Sequence, residues 1–135
     1  MEIRSVHHVA MAVDDLDEAI ETYRRLFGAE VELRERLEAQ GVEAVYLDVG
    51  GARVELLMPL DDATPVGRFL AKRGPGMHHV AFEVTQAASA LRELDQAGAE
   101  LIDPELREGL AGHRVAFVHP DSVHGVLVEV VSDGG

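Results

Sequence analysis

Polar and apolar positions in this chain follow the same pattern twice. His7-His8-Val9-Ala10 and His78-His79-Val80-Ala81 are one tetrapeptide in two copies, each running on in alternating order to Val13 or Val84. Alternation of small and β-branched residues over such a short run predicts a strand. A helix follows each copy. In the first, Asp14 or Asp15 is placed to cap, Leu16, Ile20, Tyr23, Leu26 and Phe27 form an apolar stripe at helical spacing, and Gly28 stops it. In the second, Thr85 is the expected cap, Ala87, Leu91 and Leu94 make the stripe, and Gly98 ends it. Strands are then predicted at about 31–37, 43–49 and 52–58 in the first half, with Gly50-Gly51 as a hairpin turn. In the second half they are predicted at about 99–102, 114–118 and 126–131, with turns at Pro120-Asp121 and His124-Gly125.

Each half therefore reads βαβββ. A short helix at Pro65–Arg73 joins them, with Thr64 as cap, Pro65 in the first turn and Gly74 as stop. The expected fold is α+β: two tandem βαβββ modules forming a curved, mostly antiparallel eight-stranded sheet around a metal site, with helices outside. A half-sheet with one apolar face buries it best against its copy. The expectation is one domain over residues 1–135, with module 1 at about 1–60, the connecting helix at about 64–74 and module 2 at about 76–133.

Composition narrows the chemistry. The chain holds no cysteine, which removes disulfides, thiolate ligands and a cysteine nucleophile. A formal net charge of −13 argues against nucleic acid as a partner, since phosphates demand a basic face. No run is long and apolar enough for a membrane span and no signal-peptide pattern opens the chain, so no membrane association and a cytoplasmic location are expected. There is no nucleophile elbow around a serine, and Gly74-Pro75-Gly76 lacks the lysine and following helix of a phosphate loop.

The repeat carries the candidate site. His8 and His79 occupy the same point of the first strand in each module, and Glu55 and Glu129 the same point of the last. Both glutamates interrupt strongly apolar strands, where a lone buried carboxylate is costly unless paired or metal-bound. A single strand histidine is most often a surface or hydrogen-bonded core residue, but four such residues at matched positions point to convergence about a pseudo-twofold axis. Imidazole and carboxylate together suit Co²⁺, Zn²⁺, Mn²⁺, Ni²⁺ or Fe²⁺. His7 and His78 should point to the opposite face from His8 and His79. Ala10 and Ala12 share the face of His8 and leave room for a ligand, whereas Val9, Met11 and Val13 share that of His7.

The chain resembles the methylmalonyl-CoA epimerases of the vicinal oxygen chelate (glyoxalase-like) superfamily. The likeness runs through the opening His7–Ala10 and Asp14–Ala19, through Tyr23 to Gly28, Gln40-Gly41-Val42, Val54-Glu55-Leu56-Leu57 with Pro59, Thr64-Pro65-Val66 and Phe69–Lys72. It continues in Gly76–Phe82, Gly112–Pro120 and Gly125–Glu129. The resemblance places His8, Glu55, His79 and Glu129 on the family's four metal ligands, the second being Gln in some members. It implies reversible proton transfer at C2 of a malonyl-type thioester, through an enolate stabilised by the cation, cobalt foremost. Glu129 is the candidate catalytic residue as well as a ligand. It further implies an acyl-CoA substrate and a homodimer, the latter also expected from sheet edges that want cover.

Two positions depart from the family. Ala44 stands where some epimerases carry a second glutamate, and the adjacent Glu43 should face the other side of the strand unless a bulge turns it inward. Otherwise another group such as His113 or a bound water serves as the second proton carrier, or the chemistry differs. Asp121 stands where lysine is common, leaving Arg68, Lys72, Arg73 and Arg114 as candidates for phosphate contacts. Other readings share the fold: a glyoxalase I-like lyase with the same ligands, an extradiol dioxygenase, for which Glu55 is superfluous, and a non-catalytic small-molecule binder.

Overall fold

The computed structural model describes residues 1–133. The chain forms two compact units, one of residues 9–78 and one that joins residues 1–8 to those from 79 onward. The fold is α+β, with eight strands in a mixed sheet. Among the described residues no helix is long and apolar enough to cross a membrane.

In the unit of residues 9–78, β1 (Ile3–Ala12, from Val9 on) leads to α1 (Leu16–Phe27), β2 (Glu30–Leu37), β3 (Val42–Val49), β4 (Ala52–Pro59) and α2 (Pro65–Arg73). The local sequence explains the helix ends. Asp15 accepts from the Glu18 N–H at 3.0 Å, Asp17 and Glu18 sit in the first turn, and Gly28 closes α1 in the left-handed region at φ 69°. These features satisfy the free N–H groups, suit the helix dipole and supply the φ that an L side chain resists. Thr64 caps α2 by accepting from the Gly67 N–H at 3.1 Å.

The strands run β2-β3-β4-β1, antiparallel for the first two pairings and parallel between β4 and β1. Alternation divides the residues by face. Val45, Leu47 and Leu56 bury themselves under Leu16 and Ile20 of α1, joined by Met11, Val54 and Met58. Ala44, Tyr46, Glu55, Leu57 and, on β1, Ala10 and Ala12 occupy the other positions, all buried.

The second unit carries β5 (Gly76–Val84), α3 (Ala87–Gln96), β6 (Arg107–Glu108), β7 (Arg114–Val118) and β8 (Leu127–Ser132), with strand order β5-β8-β7-β6. β5 pairs parallel with β8, and β8 antiparallel with β7. The first eight residues lie beside β5, where Ser5 Oγ donates to Glu83 Oε1 at 3.2 Å. Val84, Ala116 and Val130 pack beneath Ala87, Ala90 and Leu91 of α3. Ala81, Val115, Phe117 and Val131 form a separate cluster from the alternate positions.

Two expectations need correction here. The strand expected at 99–102 is reduced to a single bridge between Leu101 and Val118, and the edge strand is the two-residue β6. Pro104 has no N–H to extend a ladder, so pairing stops after the Ile102 N–H meets the Phe117 carbonyl at 3.0 Å. Thr85 does not cap α3. The helix starts after Gln86, which makes no side-chain cap bond, and the buried Ser132 of β8 accepts from the Ala87 N–H at 3.1 Å. Ser132→Ala strands that N–H inside the core and should cost about 1–2 kcal/mol of unfolding free energy, measured by urea denaturation.

Candidate metal centre

The site is built where β1, β5 and β8 present alternate side chains to the face away from α3. His8 lies on β1, His79 on β5 and Glu129 on β8, with 2%, 2% and 6% exposure. Glu129 is registered between Ala81 on β5 and Phe117 on β7. The alanine leaves room for the carboxylate, while the Phe117 ring meets the edge of His79 at 5.6 Å between centroids.

The three side chains offer ligand atoms all within 4.8 Å of one another. His8 Nε2 is 3.2 Å from His79 Nε2 and 3.4 Å from Glu129 Oε1, and His79 Nε2 is 3.8 Å from Glu129 Oε2. Donors held about 2.0–2.1 Å from one cation stand roughly 3 Å apart, so the spacing fits a shared divalent ion. The donor chemistry fits as well: two imidazole nitrogens and one carboxylate suit a borderline divalent metal.

Electrostatics favour the same use. Burial of the His79 ring pushes its pKa down from the usual 6.5 to about 3, because an imidazolium there loses its hydration. The ring is therefore neutral near pH 7, with a lone pair to give.

His8, His79 and Glu129 thus come together as expected. Glu55 is buried on β4, its Cα registered with Ala10 of β1 and Tyr46 of β3. Glu43 behaves as alternation requires. β3 and β4 pair in unbroken register from Val42 to Val49, so no bulge turns Glu43 toward the face of Ala44. Its carboxylate accepts from Arg34 Nε at 2.7 Å, and Arg34 also donates to Asp17 at 2.7 Å. Those two acceptors, Asp17 first, hold the guanidinium pKa above its usual range.

Strict alternation fails at His7, which was expected on the face opposite His8. The His7 ring is buried and its Nδ1 lies 2.8 Å from His8 Nδ1. It also stands edge-on to His113 at 5.2 Å between centroids. His113 Nε2 is 3.3 Å from Asp133 Oδ1, and its buried Nδ1 has no hydrogen-bond partner among the described residues. His78, the repeat equivalent of His7, packs on Phe69 of α2 at 4.9 Å. The two histidine pairs share the Val-Ala that follows but differ before it, Ser5-Val6 in the first and Gly76-Met77 in the second. Among the basic candidates, Arg68 donates to the Ala63 carbonyl at 3.0 Å and Arg73 lies over the Phe69 ring at 5.6 Å.

Comparison with known proteins agrees with this geometry. Residues 7–117 match the family described as the glyoxalase/bleomycin resistance protein/dioxygenase superfamily. The mitochondrial methylmalonyl-CoA epimerase of Dictyostelium discoideum is 36% identical over 129 residues, covering 95% of this chain and 78% of that protein. The ethylmalonyl-CoA/methylmalonyl-CoA epimerase of Cereibacter sphaeroides is 36% identical over 130 residues, covering 95% and 97%. Among solved structures, a variant of Streptomyces coelicolor methylmalonyl-CoA epimerase in complex with 2-nitronate-propionyl-CoA superposes with a TM-score of 0.94 at 34% identity, covering 99% of this chain and 100% of that one.

The His79 shift predicts the acid behaviour of metal-free protein. Between about pH 3 and 6.5 the unfolded chain binds a proton that folded His79 refuses, so this contribution to stability is complete above 6.5 and is lost as pH falls through that window. Urea midpoints in chelator at pH 7.5 and 5.5 should drop on acidification by up to about 1.4 kcal/mol per unit from this group. His79→Gln should show a smaller drop.

Proposed function

The chain belongs to the glyoxalase/bleomycin resistance protein/dioxygenase superfamily, and from that premise we propose that it epimerises methylmalonyl-CoA at C2, interconverting the 2R and 2S forms in a metal-dependent reaction. The observation that carries the proposal is the buried His8–His79–Glu129 cluster in a chain alike, along nearly its full length, to named epimerases.

His8, His79 and Glu129 would hold one divalent cation. Glu55, the repeat counterpart of Glu129, is proposed as the fourth ligand on that equivalence and on the resemblance, together with its burial in an apolar strand. When bound, the cation supplies Lewis-acid stabilisation of negative charge developing on a thioester oxygen. The chain's own groups must then move the C2 proton. Inversion requires removal from one face and return to the other, hence two proton carriers. Glu129 is proposed as one. Glu43, held by Arg34 in a regular strand, is not offered as the other. His113, whose buried Nδ1 has no partner among the described residues, or a bound water is proposed instead. Relatives solved with methylmalonyl-CoA or with a nitronate propionyl-CoA support an acyl-CoA substrate. Cobalt as the native metal, a homodimer and a cytoplasmic location complete the proposal and rest on the sequence alone.

The test is exchange in D₂O. Protein stripped of metal and reloaded with Co²⁺ receives one epimer of methylmalonyl-CoA, and C2 deuteration and the appearance of the other epimer are followed by NMR. Both should depend on the metal, and Glu129→Gln should slow them by about 10²-fold or more. Glu55→Ala should weaken Co²⁺ retention. Absence of exchange in protein that demonstrably binds Co²⁺ would sink the epimerase reading and leave a lyase on the same ligands.

A further inference from the structure

We propose that His7 is a positioning residue for the metal centre, accepting the Nδ1–H of His8 on its own Nδ1 and so holding His8 with its Nε2 lone pair toward His79 and Glu129. The inference rests on the proposed cation site and deepens it.

The geometry leaves little choice of roles. The two Nδ1 atoms are 2.8 Å apart, a distance that requires one proton between them. His8 Nε2 is the atom facing His79 and Glu129, at 3.2 and 3.4 Å, and so is the nitrogen available to a metal. A neutral imidazole that coordinates through Nε2 carries its proton on Nδ1. His8 must then donate and His7 must accept, keeping its own proton on Nε2.

His7 is built to hold that position. It is 7% exposed, its ring is edge-on to His8 at 5.1 Å and to His113 at 5.2 Å, and Asp133 lies 3.3 Å from the far side of His113. A metal-binding histidine gains from a partner on its second nitrogen, which fixes the tautomer and the ring plane. Such a partner is often a carboxylate. A neutral imidazole does the same work without adding negative charge to a centre that already buries Glu129. The repeat does not impose this role, since His78 packs on Phe69 instead.

Co²⁺ titrations followed by calorimetry and visible absorption should show His7→Ala binding 10–100-fold more weakly than the wild type. His7→Asn, whose side-chain oxygen accepts in nearly the same place, should recover most of that loss. In Zn²⁺-loaded wild-type protein with ¹⁵N-labelled histidine, His7 Nδ1 should be unprotonated and coupled through the hydrogen bond to His8 Nδ1. That spectrum needs no variant and decides the matter even if His7→Ala fails to fold. A protonated His7 Nδ1 overturns the proposal. So do Ala and Asn variants that lose thermal stability alike yet bind Co²⁺ within about twofold of wild type. If the wild type itself takes up no Co²⁺, the cation reading falls and carries this inference with it.

Discussion

The arrangement turns on one buried carboxylate. Glu129 sits at 6% exposure in a strand of valines, and removing a carboxylate from water costs several kcal/mol unless charge or hydrogen bonds offset it. Two neutral imidazoles offset it only in part, because each can present either a proton or a lone pair at a given nitrogen. The desolvation that keeps His79 neutral is the same desolvation that makes the Glu129 charge expensive. A dication held by His8, His79 and Glu129 would resolve both conditions at once, taking lone pairs from the rings and balancing the anion. The neighbours are chosen to suit: alanine at position 81 where the carboxylate needs space, phenylalanine at 117 where a ring edge needs support.

Placing these groups depends on how alternation divides each strand. In β5, β7 and β8 the residues Val84, Ala116 and Val130 go beneath α3, and the intervening positions carry His79, Glu129 and the small cluster around Val115 and Phe117. The helix covers one face largely with apolar contact, and the imidazole and carboxylate groups gather on the other. Ligands on hydrogen-bonded strands are also held more closely than ligands on loops, which a coordination shell requires. Even the start of α3 is tied to this frame, through the bond from Ala87 to Ser132 three residues past Glu129.

The cluster of His8, His79 and Glu129 was legible because it combines two independent regularities, a period of two along each strand and matched positions in the two halves. Helix limits at Asp15, Gly28, Thr64 and Gly74 were legible for a similar reason, since caps are local chemistry. What was hidden depends on distant partners. Thr85 has the right chemistry for a cap, but Ser132 from β8 takes the bond. The segment 99–102 alternates well enough to pair, yet Pro104 and a two-residue β6 end the sheet differently. His7 breaks alternation because its ring gains a hydrogen bond to His8 and an edge contact with His113, neither of which a strand pattern encodes.

The same register logic bears on the position of Ala44. For Glu43 to replace the glutamate missing there, β3 would have to slip by one residue against β4. Such a slip reverses every side chain in the strand, lifting Val45 and Leu47 out from under α1 and pushing Asp48 toward the core. Two fully buried aliphatic side chains would be forfeited, at roughly 1.5–3 kcal/mol each, and the Arg34 contact to Glu43 would be broken as well. A carboxylate gained at that cost would arrive without its partner, in a strand that offers it none. Glu43 therefore stays with Arg34 on the face away from Ala44, and the proposed epimerisation would need its second proton carrier from another residue.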